Sequence, residues 1–568
     1  MNEMSDQVRG IIFVLLVLAV LFVWSHFFTP PIPPPQKQNP AASQSVPGQP
    51  AAGSGANITT AGTATTVGVA KQSGNIPVAQ ASEERILVVD STLFNVTLSN
   101  RGGVVRSWKL KNYLDDQKPS HPLDLVDPNA SQQFGWPFSL VLSDPQLEAK
   151  ANTALYQVIP EEAGQFGAPA HITFHWSDGH LDVTKKLNFD QNYASSVEVL
   201  VTLDGNPIPA AVAWRGGFGD RAVYKASQLV TVFYKVDGKL NLLQYKKLGV
   251  PNNQSQPAEQ AGPMEFAGIE DQFFTATFFP NGTDLVLWDW TQNHSVSGGT
   301  EPVAQMAVGT ATPGPVRMRV YVGPKDLAIL ERQKPPLEEL VQFGWTGIIA
   351  KPMLFVLQWL HRYIPNYGWA IVVFTLILTM ALLPIRIWTF HSTRKMQLVA
   401  PEIKSIQDRY KKYSMSDPRK RKMNEEVMGV YQREGVNPVG SCIPMLFQLP
   451  ILWGFYRMLN GAIELRHAPW FGWIHDLSAK DPYYILPVLM AITTFLMTKM
   501  TPTPATVDPA QQKMMAFMPL MLIVIFINLS SGLNLYYFTS NLVGVAQQWY
   551  LNRSQPLPSR SKFKKKNE

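Results

Sequence analysis

The stretch NPVGSCIPMLFQLPILWGFYRML, residues 437–459, decides the fold class of the carboxyl-terminal part of the chain. It is apolar enough for a bilayer, yet it contains prolines and a central glutamine, Gln448. Proline removes a helix hydrogen bond, and a glutamine side chain is costly against hydrocarbon. The polar groups of such a membrane helix should therefore face each other or a wet cavity.

Apolar residues elsewhere in the chain support the membrane interpretation. The chain has 568 residues, and its apolar residues are concentrated at residues 11–28 and again after about residue 350, which is typical of a membrane protein. Six spans are predicted, at residues 11–28, 369–385, 439–459, 484–498, 514–529 and 533–551. An even number of spans places both termini on the same side of the membrane.

Positive charge indicates which side is cytoplasmic. Residues 386–435 contain 12 Lys and Arg against 6 Asp and Glu, and the tail at residues 552–568 is also basic. Because Lys and Arg accumulate in cytoplasmic loops, both segments and both termini are predicted to be cytoplasmic. The long polar region between the first and second spans is therefore predicted to lie outside.

The first 335 residues divide into three parts. Residues 1–28 are predicted to be an uncleaved anchor rather than a signal peptide, because the bulky end WSHFF lacks a small-residue cleavage site. Residues 29–83 are rich in Pro, Ala, Ser and Gly and predict a disordered linker. Residues 84–335 alternate apolar and polar side chains, as in FNVTLSN and VRMRVYVG, and predict an all-β sandwich. Residues 84–335 contain no dense cluster of His, Cys or carboxylate side chains. They are therefore expected to form a binding or scaffolding domain without a metal or a cofactor.

Helical periodicity begins near Pro336. Residues 336–365 are predicted to form amphipathic helices in the membrane interface, the first of them ending at Pro352. Packing against the β domain is the alternative for the same residues.

A coiled-coil pattern lies between the second and third spans. Apolar residues recur there at spacings of three and four, namely Met396, Val399, Ile403, Ile406, Tyr410, Met423, Val427 and Val430. Asp417 and Pro418 are suited to begin a second helix, and Gly435 to end it. Residues 386–435 therefore predict an antiparallel helical hairpin in the cytoplasm.

The composition of the spans argues against several function classes. None contains Asp, Glu or Lys, and the Arg within them is Arg457, near the outer end of the third span. Ion-coupled transporters usually need buried ionisable groups. The chain has no GxxxxGK[ST], HExxH or GxSxG motif, so it is not expected to be an enzyme. Cys442 is the only cysteine, which excludes an intramolecular disulfide.

Four longer segments cover nearly all of residues 366–551: VNPVGSCIPMLFQLPILWGFYRML, ELRHAPWFGWIHDLSAKDPYYILPVLM, DPAQQKMMAFMPLM and SSGLNLYYFTSNLVGVAQQ. Together they closely resemble the YidC/Oxa/Alb family of membrane protein insertases. Residues 84–335 resemble the large periplasmic β-sandwich of its Gram-negative form more loosely, through NRGG, DQFFTATFFP and YVGP.

The resemblance implies a multi-domain inner-membrane protein with a five-helix insertase core at residues 366–551, in addition to the anchor. It implies an insertase and chaperone with a polar groove open to the cytoplasm and the lipid but closed to the outside. A client's polar segment enters the groove while its apolar segment slides along lipid-facing helices, so client hydrophobicity drives insertion without a nucleotide. A kinked helix that bears Gln448 suits a groove wall that is wet on one side.

The candidate groove residues are Thr375, Thr379, Gln448, Tyr537, Asn541 and Arg386. The family's groove arginine stands five residues before the proline that ends the second span; here that proline is Pro384 and the residue is Thr379. Arg386 lies seven residues further on, two helical turns away on roughly the same face. Arg386 is the candidate source of positive charge at the mouth of the groove. The alternative is that Arg386 is an ordinary cation that only helps to set the topology of the chain.

Nascent membrane proteins are the implied clients, and the Sec translocon, the ribosome and anionic lipids are candidate partners. Candidate contacts with clients or ribosomes are Arg394, Lys395, Lys411, Lys412, Lys564, Lys565 and Lys566. No specific nucleic acid is expected. Two other function classes stay open from the sequence: a polytopic transporter or flippase, and a membrane-anchored carbohydrate-binding protein.

Overall fold

A computed structural model describes residues 76–160, 164–222, 226–249, 258–282, 284–296, 299–413, 417–435, 443–500, 521 and 523–554, without the side chains of residues 443–448. The predictions for the anchor, most of the linker, Cys442, the Gln448 side chain, half of the fifth span and most of the basic tail lie outside the described residues.

The amino-terminal part of the described chain is built from strands. These are β1 (Ile86–Asp90), β2 (Phe94–Ser99), β3 (Val104–Leu114), β4 (Pro122–Asp124), β5 (Ser139–Val141), β6 (Gln157–Ile159), β7 (Gln165–Gly167), β8 (Ala170–Ser177), β9 (Leu181–Phe189), β10 (Ala194–Leu203), β11 (Asn206–Pro207), β12 (Ala211–Trp214), β13 (Thr231–Val236), β14 (Lys239–Gln244), β15 (Ala258–Ala261), β16 (Met264–Glu270), β17 (Phe274–Pro280), β18 (Val286–Val296), β19 (Gly299–Gly309) and β20 (Val316–Pro324). Four short helices lie among or directly after them: α1 (Pro128–Phe134), α2 (Pro145–Thr153), α3 (Ala226–Leu229) and α4 (Leu327–Leu330).

On strands β2 and β20 the alternating sequence pattern places one face in the core. Phe94, Val96 and Leu98 on β2 are all buried, as the sequence predicted. Val316 and Val320 on β20 are buried likewise, whereas Arg317 between them is exposed. The period of two therefore identified the buried face correctly.

The strands form three sheets rather than the two of a simple sandwich. Their orders are β4-β3-β2-β1-β7, β14-β13-β16-β17-β20-β10-β9-β8-β6 with β11 beside β10, and β15-β18-β19-β12-β5. The ring of Trp108 on β3 lies 6.4 Å from that of Trp214 on β12 and 5.9 Å from that of Phe189 on β9. Because these rings come from three different sheets, the sheets share one hydrophobic core.

The carboxyl-terminal part is helical. Its helices are α5 (Gly347–His361), α6 (Tyr367–Ala381), α7 (Leu383–Tyr410), α8 (Pro418–Arg433), α9 (Ile443–Gly461), α10 (Ile485–Met500) and α11 (Ser531–Ser554), with 3₁₀ turns at Tyr245–Lys247, Glu338–Val341, Gly344–Thr346 and Ile463–Leu465. Helices α6, α9, α10 and α11 lie on four of the predicted spans.

Taken singly, none of the described helices has both the length and the apolar composition that crossing a bilayer requires. Helices α6 and α7 meet that requirement as a pair, bent by 53° at the break between them.

The expected helix end at Pro352 is wrong. Helix α5 runs through Pro352 from Gly347 to His361. Pro352 stands early in the helix, where the loss of one hydrogen bond is offset by packing of the apolar face against α9; a Cβ at Gly454 would lie 3.0 Å from Ile349. Gln342 and Glu339, before α5, contact Glu270 and Lys235 of the β domain, while Ile348 on α5 is 87% exposed.

The antiparallel helical hairpin predicted at residues 386–435 is present as α7 and α8. Its core holds the predicted residues together with Met428 and Tyr431. Ion pairs from Arg409 to Glu426, at 2.9 Å, and from Arg433 to Glu402, at 2.6 Å, show that the two helices run antiparallel. The Asp417 carboxylate accepts the Arg419 N–H and caps α8.

Candidate functional site

Helices α7, α10 and α11 bring polar side chains together along one side of α11. The Arg386 Nη1 atom on α7 donates a hydrogen bond of 3.0 Å to Gln547 Oε1 on α11. Asn541 Nδ2, further back on α11, donates one of 2.7 Å to Thr494 Oγ1 on α10. We call Asn541, Gly544 and Gln547 the polar face of α11; their spacing places them on one side of the helix.

Gly544 makes room for the arginine. A Cβ at this position would lie 2.9 Å from Arg386 Nη1 and 3.0 Å from Met497 Sδ. Because carbon atoms do not approach so closely without displacement, glycine allows the guanidinium to pack directly on α11. The absence of a Cβ at Gly544 thus helps determine where the positive charge of Arg386 lies.

Thr375 and Thr379 lie on the buried face of α6. Their hydroxyl groups donate to backbone oxygens one turn earlier: Thr375 to Ile371, at 2.6 Å, and Thr379 to Thr375, at 2.7 Å. Ile371, on the same stripe, would lie 3.6 Å from a Cβ at Gly532 of α11. The two threonines therefore face α11 with their hydrogen bonds made inside their own helix.

The assumption that Thr379 and Arg386 share one continuous helix is wrong. Helix α6 ends at Ala381, α7 begins at Leu383, and the two axes differ by 53°. Pro384 lies in the first turn of α7, where its missing N–H breaks no helix bond. Arg386 reaches α11 from the second helix rather than from two turns along the first.

Tyr537 belongs to an aromatic cluster. Its ring lies 4.8 Å from that of Phe526, edge to face, and 5.8 Å from that of Tyr536, which stacks on Phe455 at 4.0 Å. The Asn534 amide donates to the Phe526 and Leu529 carbonyls and ties the start of α11 to the preceding residues.

The candidate contact residues of the hairpin differ in exposure. Lys395, Lys411 and Lys412 are exposed, whereas Arg394 is half-buried with its guanidinium 4.7 Å from the Phe390 ring. The side chain of Gln448 and the cations at residues 564–566 lie outside the described residues.

This arrangement suits binding rather than bond breaking. In the described part of the chain no three His, Cys, Asp or Glu side chains are grouped to hold a metal ion. The cation Arg386 and the amides of the α11 polar face can accept an anionic or hydrogen-bonding segment. The candidate groove residues did not include Thr494, which was recognised only as a polar residue of its span, nor Gly544 and Gln547. The signal for the last two was the GVAQQ run at residues 544–548.

Comparisons with known proteins agree with this architecture. Residues 359–558 match the family described as 60Kd inner membrane protein, and residues 86–356 match the YidC periplasmic domain. A membrane protein insertase YidC of Geotalea daltonii is 31% identical over 96% of this chain and 99% of its own length. The insertase of the same name from Syntrophus aciditrophicus is 29% identical over the same shares of the two chains.

A solved structure described as an active YidC insertase with its first transmembrane domain resolved is 17% identical; the match covers 84% of this chain and 95% of that one, with a TM-score of 0.35. The two family matches and these relatives identify an inner-membrane protein that inserts other membrane proteins and is not an enzyme. The chain belongs to the YidC family of membrane protein insertases. This membership does not favour the transporter or the carbohydrate-binding alternative.

Proposed function

We propose that this insertase receives the polar segment of a client on the polar face of α11, in a groove open to the cytoplasm and the lipid. Arg386 supplies the positive charge that the family places elsewhere, and Thr375, Thr379, Gln448 and Tyr537 line the groove. The client's apolar segment moves along the lipid-facing helices, alone or beside the Sec translocon.

The hydrogen bonding of Arg386 carries this proposal. The described partner of its guanidinium is the neutral Gln547 amide rather than a carboxylate, so the described residues leave its charge uncompensated. A cation with reduced access to water attracts an acidic segment more strongly than the same cation in bulk water. An acidic client tail is therefore the complementary ligand.

The proposed topology has six spans, cytoplasmic termini and a periplasmic β domain at residues 84–335. Four of the proposed spans coincide with α6, α9, α10 and α11, and the positive charge bias of the α7–α8 hairpin supports a cytoplasmic position. Exposed Lys395, Lys411 and Lys412 support ribosome contact by the hairpin. The tail with Lys564, Lys565 and Lys566 is proposed to bind ribosomes or anionic lipids.

The test uses purified full-length protein in liposomes without ATP. Two single-span clients differ only in an acidic or a neutral amino-terminal tail, and the measured quantity is the rate at which the tail becomes protected from protease. Arg386→Ala should slow insertion of the acidic-tailed client by about tenfold or more, since a hydrogen bond to a charged group contributes about 1.5–3 kcal/mol.

Lys404→Ala, which removes an exposed cation from the same helix outside the candidate contacts, is the matched control and should leave both clients unaffected. Thr379→Arg tests whether the family's usual position can also supply the charge. Equal insertion of the acidic-tailed client by Arg386→Ala and the unmodified protein would exclude Arg386 from the site.

A further inference from the structure

Helix α7 carries a second arginine on the same side as Arg386. Phe390 lies four residues after Arg386, and Arg394 lies four residues after Phe390, so the three side chains follow one side of the helix. The Arg394 guanidinium lies 4.7 Å from the centre of the Phe390 ring, and Phe390 is buried. The half-buried side chain of Arg394 is thereby held on the part of α7 that leads to Arg386.

The charges of these two arginines are not compensated by a carboxylate of the described chain. Arg386 donates to a neutral amide and Arg394 contacts an aromatic ring, and neither forms an ion pair with a described Asp or Glu. Arg409 and Arg433, further along the hairpin, each form an ion pair with a glutamate of the opposite helix. The arginines that join the two hairpin helices are therefore paired, whereas Arg386 and Arg394 can bind an external anion.

Two buried donor groups on this side of α7 lack an acceptor. The Arg394 Nε and Gln547 Nε2 atoms are both buried, and neither forms a hydrogen bond in the described part of the chain. Gln547 Oε1 accepts from Arg386, so the Gln547 Nε2–H group is a further donor beside the same guanidinium. Because a buried donor without an acceptor is costly, each position favours binding of an acceptor such as a carboxylate oxygen.

The separation of the two positions matches the repeat of an extended peptide. Arg386 and Arg394 are eight residues apart, which corresponds to about 12 Å along the axis of α7. An extended chain advances about 3.3 Å per residue, so four residues span about 13 Å. Side chains four positions apart on such a chain project from the same face, whereas adjacent side chains project from opposite faces. Two carboxylates four positions apart therefore reach both arginines.

We propose that Arg394 and the Arg386–Gln547 pair form a two-point site for a client tail with acidic residues four positions apart. One carboxylate binds Arg394, and the other binds Arg386 together with the Gln547 Nε2–H group. Arg394 lies on the hairpin side of Arg386, so a tail that enters from the cytoplasm meets it first. The two-point site rests on the proposed function of Arg386 and adds to it a preference for the spacing of acidic residues.

The test uses full-length protein in liposomes without ATP and three single-span clients. Two clients have tails of identical composition with two aspartates, placed either four positions apart or next to each other, and the third has a neutral tail. The measured quantity is the rate at which each tail becomes protected from protease, relative to the neutral tail. The unmodified protein should insert the spaced tail about tenfold faster than the adjacent tail, since one more hydrogen bond to a charged group is formed.

Substitutions then assign this preference to named side chains. Arg394→Ala should abolish the difference between the spaced and adjacent tails, because one point of attachment is lost. Arg394→Lys retains the charge without the Nε–H group and should give an intermediate difference. Gln547→Glu places a carboxylate beside the Arg386 guanidinium, where it competes with the client, and should slow both acidic-tailed clients. Lys404→Ala removes an exposed cation of the same helix and is the matched control, which should retain the full preference.

The two proposals fail in different ways. If Arg386→Ala inserts both acidic-tailed clients at the unmodified rate, the proposed function fails and the two-point site fails with it. If Arg386→Ala slows both clients but the unmodified protein inserts the spaced and adjacent tails equally fast, only the two-point site is excluded. This comparison of two tails needs no variant, so it decides even where Arg394→Ala does not fold.

The variants can also exclude single residues. A full preference for the spaced tail in Arg394→Ala would overturn the role of Arg394 and with it the two-point site. Unchanged rates in Gln547→Glu would exclude Gln547 from the site.

Discussion

Replacing Gly544 by alanine tests whether the position of the Arg386 guanidinium matters to the site. The new Cβ would lie 2.9 Å from Arg386 Nη1, whereas ordinary contact begins near 3.4 Å. The guanidinium must therefore move by about 0.5 Å, which strains its 3.0 Å hydrogen bond to Gln547.

The magnitude follows from two opposing effects. Alanine in a helix interior is more favourable than glycine by about 1 kcal/mol, whereas a lost hydrogen bond to a charged group costs about 1.5–3 kcal/mol. Gly544→Ala should therefore be destabilising by about 0.5–2 kcal/mol if the bond is lost completely.

Gly429→Ala provides the matched control. Gly429 lies inside α8, and a Cβ there would meet no atom within 4 Å, so alanine should stabilise the helix without displacing a neighbour. The assays are thermal unfolding of the full chain in detergent and insertion of the acidic-tailed client. We expect Gly544→Ala to lower the midpoint temperature of unfolding and the rate of insertion. Gly429→Ala should lower neither quantity. If the two variants behave alike in both assays, the contact between Arg386 and α11 is irrelevant to the site.

Two other regions give predictions of their own. Burial lowers the pKa of Lys185, whose Nζ donates to three backbone carbonyls, to about 7. Between about pH 7 and pH 10.5 the Lys185 amine carries a proton in the unfolded chain but not in the folded one. The free energy of unfolding of the β domain should therefore rise with pH over this range, by about 5 kcal/mol at most. Lys185→Met should abolish this rise in a fluorescence-monitored denaturant titration repeated across that range, and an unchanged slope would assign the pH dependence to other groups. In the hairpin, Ile403→Ala should cost about 2–4 kcal/mol, measured by hydrogen exchange of α7 and α8, because Ile403 is 1% exposed. Glu402→Gln should leave that exchange unchanged, because its ion pair with Arg433 is exposed; an equal loss in both variants would contradict the hairpin core.

Local patterns in the sequence predicted the features that depend on neighbouring residues. The period of two placed Phe94 and Val96 in the core, and the spacings of three and four identified Ile403 and Val430 as hairpin contacts. Asp417 caps the second hairpin helix as its sequence context indicated, since a cap needs only the next few residues.

Features that depend on residues far apart in the sequence could not be predicted from local patterns. Arg386 and Gln547 are 161 positions apart, and nothing in either local sequence indicates the pairing. The number of sheets depends on which strands meet across the core around Trp108, which alternation does not specify. Pro352 was expected to end a helix because proline removes a helix hydrogen bond. The packing of α5 on α9, which offsets that loss, depends on residues about 100 positions away and is not visible in the local sequence.

Helix α7 links the contact between Arg386 and α11 to the tip of the α7–α8 hairpin. It is one helix of 28 residues, with Arg386 near one end and Tyr410 at the other. At about 1.5 Å per residue these positions are about 36 Å apart, so a tilt of about 5° at the base moves the tip by about 3 Å. Conversely, a force applied at the tip of the hairpin acts on the opposite end of α7, where the Arg386 guanidinium contacts Gln547.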